Sequence, residues 1–172
     1  MDEPASTTPA ADAATEIDRS PPIGVFLSGE SFFHAAQHLQ RSCEAGDLRL
    51  RFTMPVYYLY CHAFELTLKA FLRTKGISAA RLASREFGHK LLALWEACLA
   101  EGLHSHPVAV AFIGQAIELL DPFAREFEFR YLKVGVQHLP TLGDVQSAVA
   151  DLMAAVKPHC QATLTQPIPE RG

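Results

Sequence analysis

The chain has 172 residues, 49% of them hydrophobic, which suits one domain with a real core plus a tail. Its formal net charge of −4 is carried by the first 22 residues, where Asp2, Glu3, Asp12, Glu16 and Asp18 face Arg19 alone, and the remainder holds 14 basic and 14 acidic residues. A neutral body argues against a global electrostatic attraction to nucleic acid, and no apolar run approaches the ~18 residues of a membrane span.

Residues 1–22, MDEPASTTPAADAATEIDRSPP, offer almost nothing to bury, and a disordered acidic tail is expected there. Ser28 is the expected N-cap of a first helix, GESFFHAAQHLQRSCEA, with Phe32, Ala35, Ala36 and Leu39 at helical spacing and Gly46 as its stop.

The stretch PVYYLYCHAFELTLKAFLRTKG, Pro55 to Gly76, follows, with Thr53 as cap and Pro55 in the first turn. At about 100° per residue, Tyr58, His62, Glu65, Lys69 and Arg73 form one narrow polar stripe, and apolar residues cover nearly all the rest. A helix of that kind is packed on most sides, so the central rod of an all-α domain is expected here.

SAARLA suits one or two further turns, and SREFGHK a connection with an unusual backbone angle at Gly88. KLLALWEACLAE puts Leu91, Leu94, Trp95, Cys98 and Leu99 on one face and ends at Gly102. Pro107 opens VAVAFIGQAIELL, which Asp121-Pro122 is expected to interrupt or bend. FAREFEFRYLKVGVQHLPT alternates in part like a strand but has no partner, and a helical continuation running into a loop is expected. Thr141 and Asp144 form a capping box for a last helix, LGDVQSAVADLMAAV, closed by Pro158. These elements predict an up-and-down bundle of about five helices over residues 23–158, followed by a flexible tail over 159–172.

Few constellations carry chemistry. Cys43, Cys61, Cys98 and Cys160 are widely spaced with no C-x-x-C pair, and the N-terminus lacks an apolar h-region; reduced thiols in a cytoplasm are expected. His34 and His38, one turn apart, lack the Glu of H-E-x-x-H and a third ligand, and His104 and His106 in HSHP have nothing nearby to complete a site, so no metal or cofactor is expected. Phosphate loops and a nucleophile elbow are absent. Lys69, Arg73, Lys75, Arg81, Arg85 and Lys90 face only Glu86 between Lys69 and Lys90, which marks a local basic patch or a solvated helix end. The stripe is different in kind. Glu65 and Lys69 stand at i, i+4 with His62 one turn before, and buried charges need partners, for which His89 and Arg130 are the candidates.

At these residues the chain resembles bacterial HEPN-like proteins that carry H-A-x-E-L-x-L-K-A-F-L, then G-H-D-L, then an R-Y segment and a final helix. The resemblance covers Gly29 to Val156 and rests on His62, Glu65, Lys69, Gly88, His89, Leu91, Arg130 and Tyr131 together. It implies a HEPN-like helical bundle, a homodimer, and a noncatalytic nucleotide- or RNA-associated binding or regulatory role in a stress, toxin–antitoxin or defence setting, with a nucleotidyltransferase-type protein as a partner. The binding or polar network it implies is His62, Glu65, Lys69, His89, Arg130 and Tyr131. Two departures stand out. Lys90 occupies the position where the group has Asp, and the ribonuclease spacing of Arg, four to six residues, then His is absent, since three residues separate Arg85 from His89 and seven separate Arg130 from His138. The alternatives are a weak or conditional metal-independent ribonuclease using His89 and Arg130 as catalytic residues, or a structural interaction scaffold.

Overall fold

The segment from Pro55 to Gly76 forms the central helix that its composition demands. In the computed structural model, which describes residues 20–104, 107–125 and 139–165, the helices are α1 (Pro22–Glu44), α2 (Met54–Thr74), α3 (Ala79–Ala83), α4 (Leu91–Ala100), α5 (Pro107–Arg125) and α6 (Leu142–Ala162). The described residues contain no strand, and the fold is an all-α bundle. None of these helices is long and apolar enough to cross a membrane. The FEFRY segment, with Arg130 and Tyr131, lies outside the described residues, as do His106, residues 1–19 and residues 166–172.

Twelve of the 21 residues of α2 are buried, enough to cover most of its circumference, and α1, α4, α5 and α6 all pack on it. Tyr60, Phe64, Leu68, Phe71 and Leu72 are fully enclosed and join Phe26 of α1, Leu94 of α4, Ile117 of α5 and Leu152 of α6 in one apolar core. Each such side chain contributes about 1.5–3 kcal/mol by leaving water.

Side-chain pairings give the topology. Ser20 reaches Arg73 and Gln40 reaches Tyr60, so α1 runs antiparallel to α2. Tyr60 also meets Gln146, and Phe71 meets His159, so α6 runs parallel to α2. Closest approach of α1 to α2 falls at Gly29, where a Cβ would lie 3.2 Å from Thr67 Oγ1, 3.3 Å from Leu66 Cβ and 3.4 Å from the Ala63 carbonyl oxygen. Thr67 is itself tied to Ala63 O at 2.7 Å, so that wall has little room to give.

Three boundaries differ from the sequence expectation. Helix α1 starts at Pro22, not after Ser28; the Gly24 and Val25 amides bond to Pro21 O, and Phe26 is fully buried. Ser28 lies inside the helix with its hydroxyl donating to Gly24 O. Pro122 does not interrupt α5, nor does Pro158 close α6. Each proline removes one bond to the carbonyl four residues earlier, and both those residues, Glu118 and Ala154, are exposed, so water satisfies the orphaned oxygen. Burial of Cys160, two residues beyond Pro158, holds the end of α6 in place.

Other signals hold as read. Thr141 Oγ1 accepts the Asp144 amide at 3.1 Å, and Ile77 N–H returns to Leu72 O to close α2. Thr53 stands at the N-cap of α2, although its side chain makes no capping bond and its carbonyl accepts from Val56. All four cysteines are free, and three are buried; burial pushes the Cys160 thiol up to about 11 and raises those of Cys61 and Cys98 further, which keeps them protonated and unreactive.

A polar knot fixes three helices against one another. Tyr60, fully buried, donates to Gln40 Oε1 at 2.7 Å, with Gln146 Oε1 at 3.3 Å, and Gln40 donates onward to Glu44 at 2.8 Å. Burial first, then the Glu44 charge, raises the Tyr60 phenol to about 12, with Arg41 opposing. In the unfolded chain the phenol ionises near 10, so its contribution is complete below about pH 10 and is lost as pH climbs toward the folded value, about 2 to 3 kcal/mol in all. Tyr60→Phe is therefore expected to cost about 1–3 kcal/mol at pH 8, by leaving two amide oxygens short of a donor, and to flatten the decline in stability above pH 10. Urea unfolding at pH 8 and 10.5 checks both, and an unchanged alkaline decline rules Tyr60 out as its source.

Candidate functional site

Glu65 is the one carboxylate on α2, and it is 7% exposed. Its two oxygens have different partners. Lys69, one turn on, donates to Oε1 at 2.7 Å, and His89, from the loop before α4, meets Oε2 through Nδ1 at 3.0 Å. An ionised carboxylate only accepts, so the His89 proton facing it is on Nδ1. His62 stands 3.9 Å from the same oxygen, beyond hydrogen-bond range, and packs on Tyr58 and Phe32, with ring centroids at 4.4 and 5.0 Å. The stripe thus delivers Glu65 and Lys69 to the site, with His62 as a flanking aromatic contact.

The loop 84–90 reaches Glu65 for local reasons. Phe87 is buried and anchors it, Lys90 N–H closes a turn on Phe87 O at 2.7 Å, and Gly88 between them takes φ +43°, where a side chain is strained. On the outer side Arg81 forks onto Glu86 at 2.9 and 3.2 Å and covers the Phe87 ring. The turn brings His89 back over α2, and α4 starts immediately after it.

Lys90, at the N-cap of α4, supplies no side-chain cap; its ammonium donates to the Arg85 carbonyl. Asp121 of α5 performs the task from a distance of 29 residues in sequence, accepting the Leu92 amide at 3.0 Å while pairing with Arg125. The cap that Lys90 does not supply is thus provided from across the bundle. Asp121, 3% exposed, and Arg125 are the residues that sequence reasoning missed. Their only signal was an Asp and an Arg at i, i+4 around Pro122, which reads as a helix-surface pair.

Around His89 the surface opens into a cleft of about 350 Å³ lined by Arg85, Gly88, His89, Lys90 and Arg125, with no acidic residue in its wall. A smaller recess of about 20 Å³ is also lined by His89, together with Tyr58, Cys61, His62, Glu65 and Phe123. The basic run of the sequence is split by folding. Lys69 is taken by Glu65, Arg81 by Glu86, and Arg73 donates to Ser20 O, while Arg85 and Lys90 make no ion pair among the described residues. Coulomb attraction at the rim of such a cleft favours an anion, and the imidazole edge opposite Glu65 adds a polar contact.

His62, Glu65, Lys69 and His89 are therefore brought together, and Arg130 and Tyr131 lie outside the described residues. His34 and His38 are exposed on α1, His104 is exposed beyond α4, and no group of three or more His, Cys, Asp or Glu side chains suited to a metal occurs among the described residues. In comparisons with known proteins, the chain matches no family model, no curated protein and no solved structure.

Removing one partner of a buried charge costs more than neutralising the charge itself. Lys69→Met leaves the Glu65 carboxylate with His89 alone and is expected to lower stability by about 2–3 kcal/mol, whereas Glu65→Gln, which keeps an acceptor and lets Lys69 swing to solvent, costs about 1 kcal/mol. Urea denaturation at neutral pH measures the difference, and the reverse order sinks the assignment of Glu65 as the buried, partner-dependent charge.

Proposed function

We propose that this chain is a HEPN-like, noncatalytic nucleotide- or RNA-associated binding module, working as a cytoplasmic homodimer in a stress, toxin–antitoxin or defence setting alongside a nucleotidyltransferase-type partner. The observation that supports the binding role best is the cleft at the start of α4, where Arg85, His89, Lys90 and Arg125 surround one opening without an acidic neighbour in the wall. Phosphate groups are the natural occupants of a site of that charge and size, because Arg and Lys offer charge-assisted donors to several oxygens at once. The body of the protein is neutral overall, so attraction is confined to this opening and affinity is expected to be modest and salt-dependent.

A second reading has its own support. The 3.0 Å contact between Glu65 and His89 Nδ1 orients the imidazole as a carboxylate orients a general base, which suits metal-independent RNA cleavage with His89 as base and Arg130 as the phosphate-binding cation. The binding reading is favoured because the sequence lacks the ribonuclease spacing between Arg and His.

Both are tested with one fluorescently labelled single-stranded RNA in low salt, with Arg49→Ala as a control at an exposed cation away from the cleft. Arg85→Ala combined with Lys90→Ala is expected to weaken binding at least tenfold and to lower the salt slope by about two, while Arg49→Ala changes neither. Equal affinity of all three proteins removes the cleft from consideration. With EDTA present the RNA is expected to stay intact with wild type and His89→Ala alike; cleavage by wild type alone transfers the case to the ribonuclease reading.

A further inference from the structure

Nineteen residues precede Ser20, and they carry Asp2, Glu3, Asp12, Glu16 and Asp18 against Arg19 alone. The point at which they join the bundle is fixed, because Arg73 donates to Ser20 O at 3.3 Å and so holds the chain against the second half of α2. Ser20 and Ala83 line one opening between the start of α1, α2 and the short α3, and Arg85 stands two residues beyond Ala83. The acidic segment thus enters beside the His89 cleft.

Charge on the two sides is complementary. Arg85 and Lys90 make no ion pair among the described residues, the Lys90 ammonium donating to a neutral carbonyl, and no acidic side chain lines the cleft. An extended chain covers at most about 3.6 Å per residue, which allows Asp18 about 7 Å of reach from Ser20, Glu16 about 14 Å and Asp12 about 29 Å. Tethering also raises the effective concentration of these carboxylates at the cleft, to the order of millimolar for a short linker.

We infer that the cleft accepts the chain's own acidic N-terminal segment, with Asp12, Glu16 and Asp18 supplying carboxylates to Arg85 and Lys90 in competition with phosphate groups. The competition rests on the reading of the cleft as a nucleic-acid site; the pairing does not. Ion pairs at an exposed rim are individually weak and screened by salt, so a polyanion that brings many charges displaces the segment and a lone small anion does not. The segment acts as a threshold on which anions are bound.

Pairing is read from the full chain treated in low salt with a water-soluble carbodiimide, which joins a carboxylate to a lysine amine in contact with it, followed by digestion and mass spectrometry. Residues 1–19 are expected to link to Lys90 in preference to Lys75 and Lys157, although both of these are more exposed. Arg85→Ala, which leaves the Lys90 amine in place, and high salt are each expected to remove that preference. Competition is read with labelled single-stranded RNA in low salt. Asp12→Asn with Glu16→Gln and Asp18→Asn is expected to bind about threefold tighter or more. Asp47→Asn with Glu101→Gln and Asp151→Asn, an equal change in net charge at exposed positions outside the cleft, is expected to bind as wild type does. The inference is overturned by a lack of linkage at Lys90, by linkage spread evenly over the three lysines, or by equal RNA affinity of the two triple variants where RNA is bound. Linkage at Lys90 with no RNA bound by any of the proteins upholds the pairing and removes the nucleic-acid reading instead.

Discussion

A carboxylate in the middle of the most enclosed helix is tolerated only while cations reach it, and much of the site follows from that requirement. Desolvating an isolated charge costs several kcal/mol, so Glu65 needs a partner on each oxygen. One is local, Lys69, presented by helical periodicity. The other must come from outside α2, and this is what holds the loop 84–90 against the rod: His89 is anchored by the carboxylate, Phe87 by the core, and the bend between them by Gly88. The same contact decides where Arg85 and Lys90 are displayed.

Helix α4 shows how a local deficiency is repaired at long range. Its first turn has a lysine where an acidic or hydroxyl cap is favoured, and its orphan amide at Leu92 is satisfied by Asp121 from α5. Asp121 in turn holds Arg125, which lines the cleft beside His89 and Lys90. One buried carboxylate thus orients the imidazole and a second sets the position of both the helix and a cleft arginine. Supporting groups of this type keep a surface site in one geometry, because each functional side chain is tied to an element that packs into the core.

Proline placement carries a related lesson. Pro122 and Pro158 both stand within helices, and in each case the carbonyl deprived of its donor belongs to an exposed residue. A sequence rule that stops a helix at proline assumes that the orphaned oxygen is costly, and on a solvent-facing stripe water removes most of that cost. At the other end, the double proline before α1 marks a start at Pro22, not the end of a tail, since a missing amide is harmless in the first turn.

The sequence by itself determined the all-α class, the central helix with its polar stripe, the turn at Gly88 and the cap at Thr141, because these depend on periodicity and on residue types that act within a few positions of themselves. It also named His89 as a partner for Glu65, since a buried charge demands one and few candidates exist. Only the tertiary structure decided which oxygen each cation takes, that His62 packs on aromatic rings instead of bonding to Glu65, that Asp121 caps α4, and that Arg125 joins Arg85 and Lys90 at one opening. Apart from the one-turn pairs Glu65–Lys69 and Tyr58–His62, those facts rest on residues 24 or more positions apart, such as His89 with Glu65 and Leu92 with Asp121, where helix crossing and burial set distance and no local pattern encodes them.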